Sequence, residues 1–540
     1  MAKPAQKKGR IREQIDAFAI AILMAVLMKY FAIEAYQIPT SSMQPTMMGS
    51  KSSGVYDRIL VDKSRYIFFE PERWDIAVFR YPIRYQQNYV KRIAGLGGET
   101  LRIAGGNLYL VKGDDPNSPA NLESLPRPTG VLEAHWKEIY PARRILHGQP
   151  KILGTAFSGV GGEWSEDADG TIRLVQRRAD GRSVLTYADS VGGGISNQVY
   201  DGYPTWIARK MIDAMESEPA DSFANSLHDE HVQDVRIALV VAPKSRPSEF
   251  ETIVRIAPPE GVVYEFALEI KDGNGRIVVR SNNAEVKASG AFKVALDGGT
   301  ETALRFAHVD DYCIADVDGR RIAELDCAEF KTLERLVPGS RDPERGRATA
   351  RIAVRGGEEI SIRELTLERD LHYVPSLMSG AAELDLIRVP EDHFFMLGDN
   401  TLQSVDSRDW TAIDLGVDAD DNLVDPRLAS SVRTLRGNLR AVPLGRDVDP
   451  DENPVVVQDQ NRIVFTDELG EVWRLNGRAT VNPALAQTYD SSSPWVEGPD
   501  GKPFLPVQQK VRFVRREHII GRPLLTFWPG FQPFRIGFIR

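Results

Sequence analysis

Hydrophobic positions along this chain fall into three patterns. The first is a single apolar run near the start, over 17–28, interrupted by Lys29 and resumed through Tyr30, Phe31, Ala32 and Ile33. At roughly 17 residues it has the least length that carries a helix across a bilayer core, and Lys29 sits where its amine can snorkel to the interface. Lys3, Lys7, Lys8, Arg10 and Arg12 precede it, a flank that stays cytoplasmic and places the remainder outside. A cleavable leader has a similar head, but Ile33, Glu34, Ala35 and Tyr36 provide no small-x-small pair after the run. The pattern therefore predicts a basic tail over 1–14 and an uncleaved helical anchor over 15–33.

The second pattern is period-two alternation broken by turn formers. Residues 264–270 alternate, Asp272-Gly273-Asn274-Gly275 turns, and Ile277, Val278 and Val279 resume, which predicts a hairpin. Further hairpins are expected at Asp318-Gly319 after 313–317, and at Gly356-Gly357 between 352–354 and 360–362. Short strands at this spacing predict a β-sandwich over about 154–369, with an amphipathic helix at 206–215 covering a sheet edge or domain face. The third pattern, over 411–511, mixes Asp, Pro and Asn with short strands at 455–457 and 462–465 and suggests no function. The fold class is thus mainly β.

With 540 residues, of which 42% are hydrophobic, the chain can build two or three cored domains. A net charge of -9 argues against nucleic acid as a partner. The two cysteines, Cys313 and Cys327, cannot organise a disulfide framework, and whether they pair is left open. His228 and His231 on a polar stretch read as exposed side chains rather than metal ligands.

Three polar segments stand out behind the anchor. Gln37-Ile38-Pro39-Thr40-Ser41-Ser42-Met43-Gln44-Pro45-Thr46-Met47 presents a serine on a turn bracketed by prolines. Asn88-Tyr89-Val90-Lys91-Arg92-Ile93-Ala94-Gly95 reads as a strand with Tyr89 and Lys91 on one face. The third, Phe395-Met396-Leu397-Gly398-Asp399-Asn400 through Ser404, Asp406, Ser407, Arg408 and Trp410, places turn formers and charges behind an apolar strand.

In this order the segments resemble the serine, lysine and Gly-Asp-Asn/Asp-Ser-Arg boxes of bacterial type I signal peptidases. Residues 56–61, 73–82 and 517–522 are similar to that family's intervening and closing strands. The resemblance covers about 15–113, 389–410 and 512–530. It implies a signal-peptidase-type β-sheet core, with parts at 34–113, 389–410 and 512–540, interrupted by insertions at 114–388 (the jelly-roll-like sandwich) and 411–511.

It also implies an endopeptidase that removes signal peptides from secreted preproteins, with Ser42 as nucleophile, Lys91 as general base and no cofactor or metal. A lysine serves as base only when neutral, and an exposed one is neutral in fewer than about one molecule in a thousand at pH 7. Lys91 must therefore be desolvated, with Tyr89, Ile93 and Met43 as wall material. By the resemblance, Ser404 orients Lys91, and the Ser42 N–H and Thr40 hydroxyl form the oxyanion hole. Arg92 with Asp399, and Asp406 with Arg408, are supporting charge pairs. Substrate lies as an added strand along Gln37, Ile38, Pro39, Met43, Asn88, Tyr89 and Val90.

The family commonly has Arg-Asp-Asn after Gly-Asp-Asn, whereas Thr401-Leu402-Gln403 stands here. His393 near the third segment would suit a Ser/His/Asp triad, but lysine already fills the base position. The expected partners are secretory preproteins with small residues at the first and third positions before the cut, and the lipid bilayer of the cytoplasmic membrane. For the sandwich, a carbohydrate or cell-envelope ligand and an inert spacer both stay open. A membrane-anchored binding protein with a relic peptidase core is the competing class, and the intact Ser42, Lys91 and Ser404 set argues against it.

Overall fold

A computed structural model describes residues 10–539 except 45, 51–54, 117, 141–152, 154–155, 177, 179–180, 188–194, 196–231, 258–260, 332–346, 375–385, 402–403, 426, 428–431, 438–456, 460–461, 481–494, 502, 505 and 529–535. The expected helix at 206–215, His228, His231, Leu402, Gln403 and the 455–456 part of the short strand lie outside the described residues. The chain forms two compact units. One holds Met1–Gly97, Val389–Gly398 and Val405–Arg540; the other holds Gly98–Arg388 and Asp399–Ser404.

The first unit is built on an antiparallel sheet with strand order Ile33–Gln37, Arg58–Asp62, Ile519–Trp528, Ile76–Tyr81, Arg84–Gly95, His393–Leu397 and Phe513–Arg515. Its central Ile76–Tyr81 strand is buried at every position but Arg80, because both faces are covered. Ala77, Phe79 and Tyr81 enter a cluster with Ile93, Met396 and Trp410. Ile76 and Val78, pointing the other way, join Ile38, Met43, Met47, Ile59 and Val61. The 411–511 stretch has strands and a core of its own in this unit, around Ile413, Leu415, Leu435, Ile463, Phe465, Leu475 and Val496.

The N-terminal segment departs from the expected 15–33 helix. The α-helix runs Arg10–Leu27, a π turn covers Met28–Ala32, and Ile33 already opens a strand in register with Asp62. Arg10, Arg12, Glu13 and Asp16 occupy its first turns, so its apolar part is short. Among the described residues no helix is long and apolar enough to cross a membrane. Phe18, Ile20, Leu23, Met24 and Phe31 are all exposed.

In the second unit two eight-stranded antiparallel sheets share one core. Val235–Pro243, Thr302–Val309 and Glu359–Arg369 lie central in one, Glu249–Ala257, Tyr264–Lys271 and Arg347–Arg355 in the other. Leu239, Phe306 and Leu367 from the first meet Phe250, Phe266 and Ile352 from the second in that core. Asp272-Gly273 and Asp318-Gly319, both residues of each pair at positive φ, close hairpins in the primed-turn geometry that matches strand twist. Gly356-Gly357 does not close a hairpin. Arg347–Arg355 and Glu359–Arg369 belong to different sheets, and the two glycines, at φ 70° and 78°, carry the chain across the core. The Cys313 and Cys327 thiols are buried and 3.4 Å apart.

Lys137, on the Lys137–Tyr140 strand, is buried in this unit and donates to the Asp399 carbonyl at 2.9 Å. Burial, with Arg369 nearby, pushes its amine down to about 7. An unfolded chain keeps that lysine protonated to about pH 10.4. The unfolded state therefore binds the extra proton between those values, and stability rises with pH across that window. Urea unfolding should show a gain of about 2 kcal/mol between roughly pH 7.5 and 9.5, and Lys137→Met should flatten that slope.

Candidate functional site

The serine segment is a loop pinned at both ends. Pro39 stands two residues past the end of the Ile33–Gln37 strand, and Ile38, Met43 and Met47 are buried as anchors. Asp57, fully buried, is the clasp: its carbonyl accepts the Ile38 N–H at 2.9 Å, its N–H donates to the Met48 carbonyl at 2.7 Å, and its carboxylate accepts the Met48 N–H at 2.7 Å. Gln44, also buried, donates to the Gly49 carbonyl at 2.9 Å. Gly49 itself backs onto the loop so closely that a Cβ would meet the Ile38 and Thr40 carbonyls at 2.4 and 2.6 Å. Ser42 is thereby held at a fixed place, its hydroxyl 3.3 Å from that of Thr40.

Lys91 comes from the Arg84–Gly95 strand, hereafter the lysine strand, opposite Ala77. Its side chain is 3% exposed, and its amine donates to Ser42 Oγ at 2.5 Å. The Tyr89 ring, on the same face, lies 5.9 Å from the amine. Tyr89 stacks on Tyr81 with centroids 4.2 Å apart, and Trp410 packs against Phe79, Tyr81 and Tyr89 at 5.9, 5.4 and 6.3 Å. Trp410→Ala would empty this aromatic cluster. The expected cost is about 3–5 kcal/mol, measurable as a fall in unfolding midpoint that Trp410→Phe recovers in part.

The third segment begins where the His393–Leu397 strand pairs with the lysine strand, Leu397 opposite Arg92. Asp406 gathers it. Its carboxylate accepts the Gly398 N–H at 2.9 Å and takes the Arg408 guanidinium through two bonds of 2.8 Å, both residues buried. Ser407 Oγ accepts the Met396 N–H at 2.9 Å. Arg92 donates to the Trp74 carbonyl at 2.8 Å. Asp399 and Ser404 are fully buried and belong to the other unit. His393 turns its ring to the Glu391 carbonyl at 2.7 Å.

Of the residues named for substrate, Ile38 and Met43 are buried, Tyr89 and Val90 half-buried, and Gln37, Pro39 and Asn88 exposed. Gln44, Gly49, Asp57 and Ser407 position the site without having been singled out from the sequence. A lone glycine or aspartate in a loop carries no local signal of the backbone it will meet.

Residues 11–131 match the family model described as signal peptidase, peptidase S26. Signal peptidase I of Pseudomonas fluorescens is 28% identical over 162 residues, 27% of this chain and 57% of that one. Signal peptidase I of Aquifex aeolicus is 37% identical over 91 residues, covering 17% and 33%. Probable signal peptidase I-1 of Synechocystis is 33% identical over 151 residues, covering 27% and 68%. The chain thus spans between a third and about two thirds of these relatives' lengths. Among solved structures, a carbohydrate-binding module from Bacillus subtilis aligns with 40% of this chain and 96% of its own at 12% identity, with a TM-score of only 0.23. With the serine and lysine segments inside the matched region, the chain belongs to the signal peptidase I family, peptidase S26.

Proposed function

We propose that this protein is a membrane-bound endopeptidase that removes signal peptides from secreted preproteins by Ser42/Lys91 catalysis. The observation that carries the reading is the 2.5 Å contact between Lys91 Nζ and Ser42 Oγ at a lysine almost sealed from water. Only the neutral amine can take the hydroxyl proton, and a site with little water disfavours the ammonium.

Ser42 Oγ attacks the scissile carbonyl as its proton passes to Lys91 Nζ. The Ser42 N–H and the Thr40 hydroxyl receive the oxyanion. The C–N bond then breaks, with the proton returned to the leaving amine, and water hydrolyses the resulting ester by the same route. Asp406 with Arg408 holds the third segment's fold.

Two open backbone edges support an extended substrate. From Asn88 to Lys91 the lysine strand pairs on one side only, and Ile33–Gln37 pairs only with Arg58–Asp62 among the described residues. A preprotein strand added there places its small residues against Ile38, Met43 and Val90. Exposed apolar side chains on the N-terminal helix, with Phe68, Phe69 and Phe538, support a bilayer contact that keeps the basic tail cytoplasmic and the peptidase outside. The test is cleavage of a purified preprotein by the full chain in detergent or liposomes. A cut at the signal junction that Ser42→Ala removes is expected; an equal cut by Ser42→Ala would refute the reading.

A further inference from the structure

We propose that the turn at 467–470, within the 411–511 insertion, reads the apolar part of the substrate ahead of the cut, with Leu469 as the specificity-determining side chain. The proposal rests on the peptidase reading above and adds a contact supplied by the insertion. An open cleft of about 780 Å³ in the first unit is lined by Tyr36, Arg80, Asn88, Ile520 and Leu469, among others. Tyr36 and Asn88 flank the two open edges, so the cleft continues the path assigned to substrate. Leu469 belongs to neither edge. It is brought there from the insertion, and it stays 61% exposed.

The turn is built to be rigid and is fastened to the lysine strand. Asp467 accepts the N–H groups of Leu469 and Glu471 at 3.0 and 2.8 Å and the Trp473 indole N–H at 2.9 Å. Gly470, at φ 84°, completes the reversal. The Tyr85 N–H donates to the Glu468 carbonyl at 3.0 Å, and the Gln86 amide donates to the Leu469 carbonyl at 3.0 Å. The open stretch of the lysine strand is therefore closed off at Tyr85, six positions before Lys91, or about 20 Å of extended chain. A substrate strand running from the cut toward Asn88 meets Leu469 roughly five to seven residues ahead of the scissile bond. An exposed leucine on a braced turn gains by being covered by an apolar partner.

The experiment uses the full chain in detergent and two peptides sharing one cleavage junction. One begins three residues before the cut; the other begins eight residues before it, with leucines at the far positions. For Leu469→Asp, kcat/KM on the long peptide should fall about tenfold, mainly through KM, while the short peptide is cut as by the wild type. Leu469→Ile should restore the long-peptide rate. Equal losses on both peptides, or none on the long one with the wild type active, would overturn this proposal alone. Wild-type protein that cuts neither peptide would bring down the peptidase reading and this inference with it.

Discussion

Ser42→Ala and Lys91→Met should each lower kcat for preprotein cleavage by at least about 10⁴-fold, and the double variant should be no slower than either single one. Such non-additivity is expected of two groups that act as one unit. In the proposed mechanism Oγ forms the acyl bond and Nζ accepts its proton, so loss of either stops the same step. The amine sits 2.5 Å from the hydroxyl, and among the described residues no other basic side chain is hydrogen-bonded to it. Lys91→Arg should be as inactive as Lys91→Met, since a guanidinium stays charged at any working pH. Thr40→Ala should cost about 10²-fold to 10³-fold by removing one oxyanion donor, while Thr40→Ser should stay close to wild type. Single-turnover kinetics on one preprotein separates these effects from binding. A Lys91→Arg variant that kept even a tenth of the wild-type rate would show that lysine is not the base.

Much of this arrangement is legible in the chain because the informative features are local. Period-two alternation puts Lys91 on the Tyr89 face, and positive-φ pairs such as Asp272-Gly273 and Asp318-Gly319 mark hairpins with the residue types such turns require. What is not legible depends on partners distant in sequence. Apolar composition carries the helix to Ile33, yet Ile33 pairs with Asp62 in a ladder whose hydrogen bonds compete with the last helical turn, and a β-branched residue accepts extended backbone readily. Gly356-Gly357 has the signature of a hairpin, but whether a tight turn returns to its own sheet or crosses to another depends on which strands are already placed there. The same holds for Asp57 and Gly49, whose importance lies wholly in which backbone they touch.

Gly49→Ala should therefore be the most damaging substitution outside Ser42, Lys91 and Thr40, lowering kcat about 10²-fold while moving KM little. An added Cβ would lie 2.4 Å from the Ile38 carbonyl oxygen, 2.6 Å from that of Thr40 and 2.8 Å from the Thr40 nitrogen. All three are backbone atoms, so no side-chain rotation relieves the overlap. The loop that carries Ser42 must shift bodily, and its anchors Ile38 and Met43 are buried on the sheet and resist. A displacement of about 1 Å in a reacting group costs about 10²-fold in rate. Thr40 is two residues from Ser42, so the hydroxyl pair would move together out of line with Lys91. The control is Gly290→Ala, where a Cβ meets nothing within 4 Å and activity should be unchanged. A Gly49→Ala variant with wild-type kcat would mean that the loop tolerates displacement, and that Ser42 is aligned by something other than the contacts of Gly49 and Asp57.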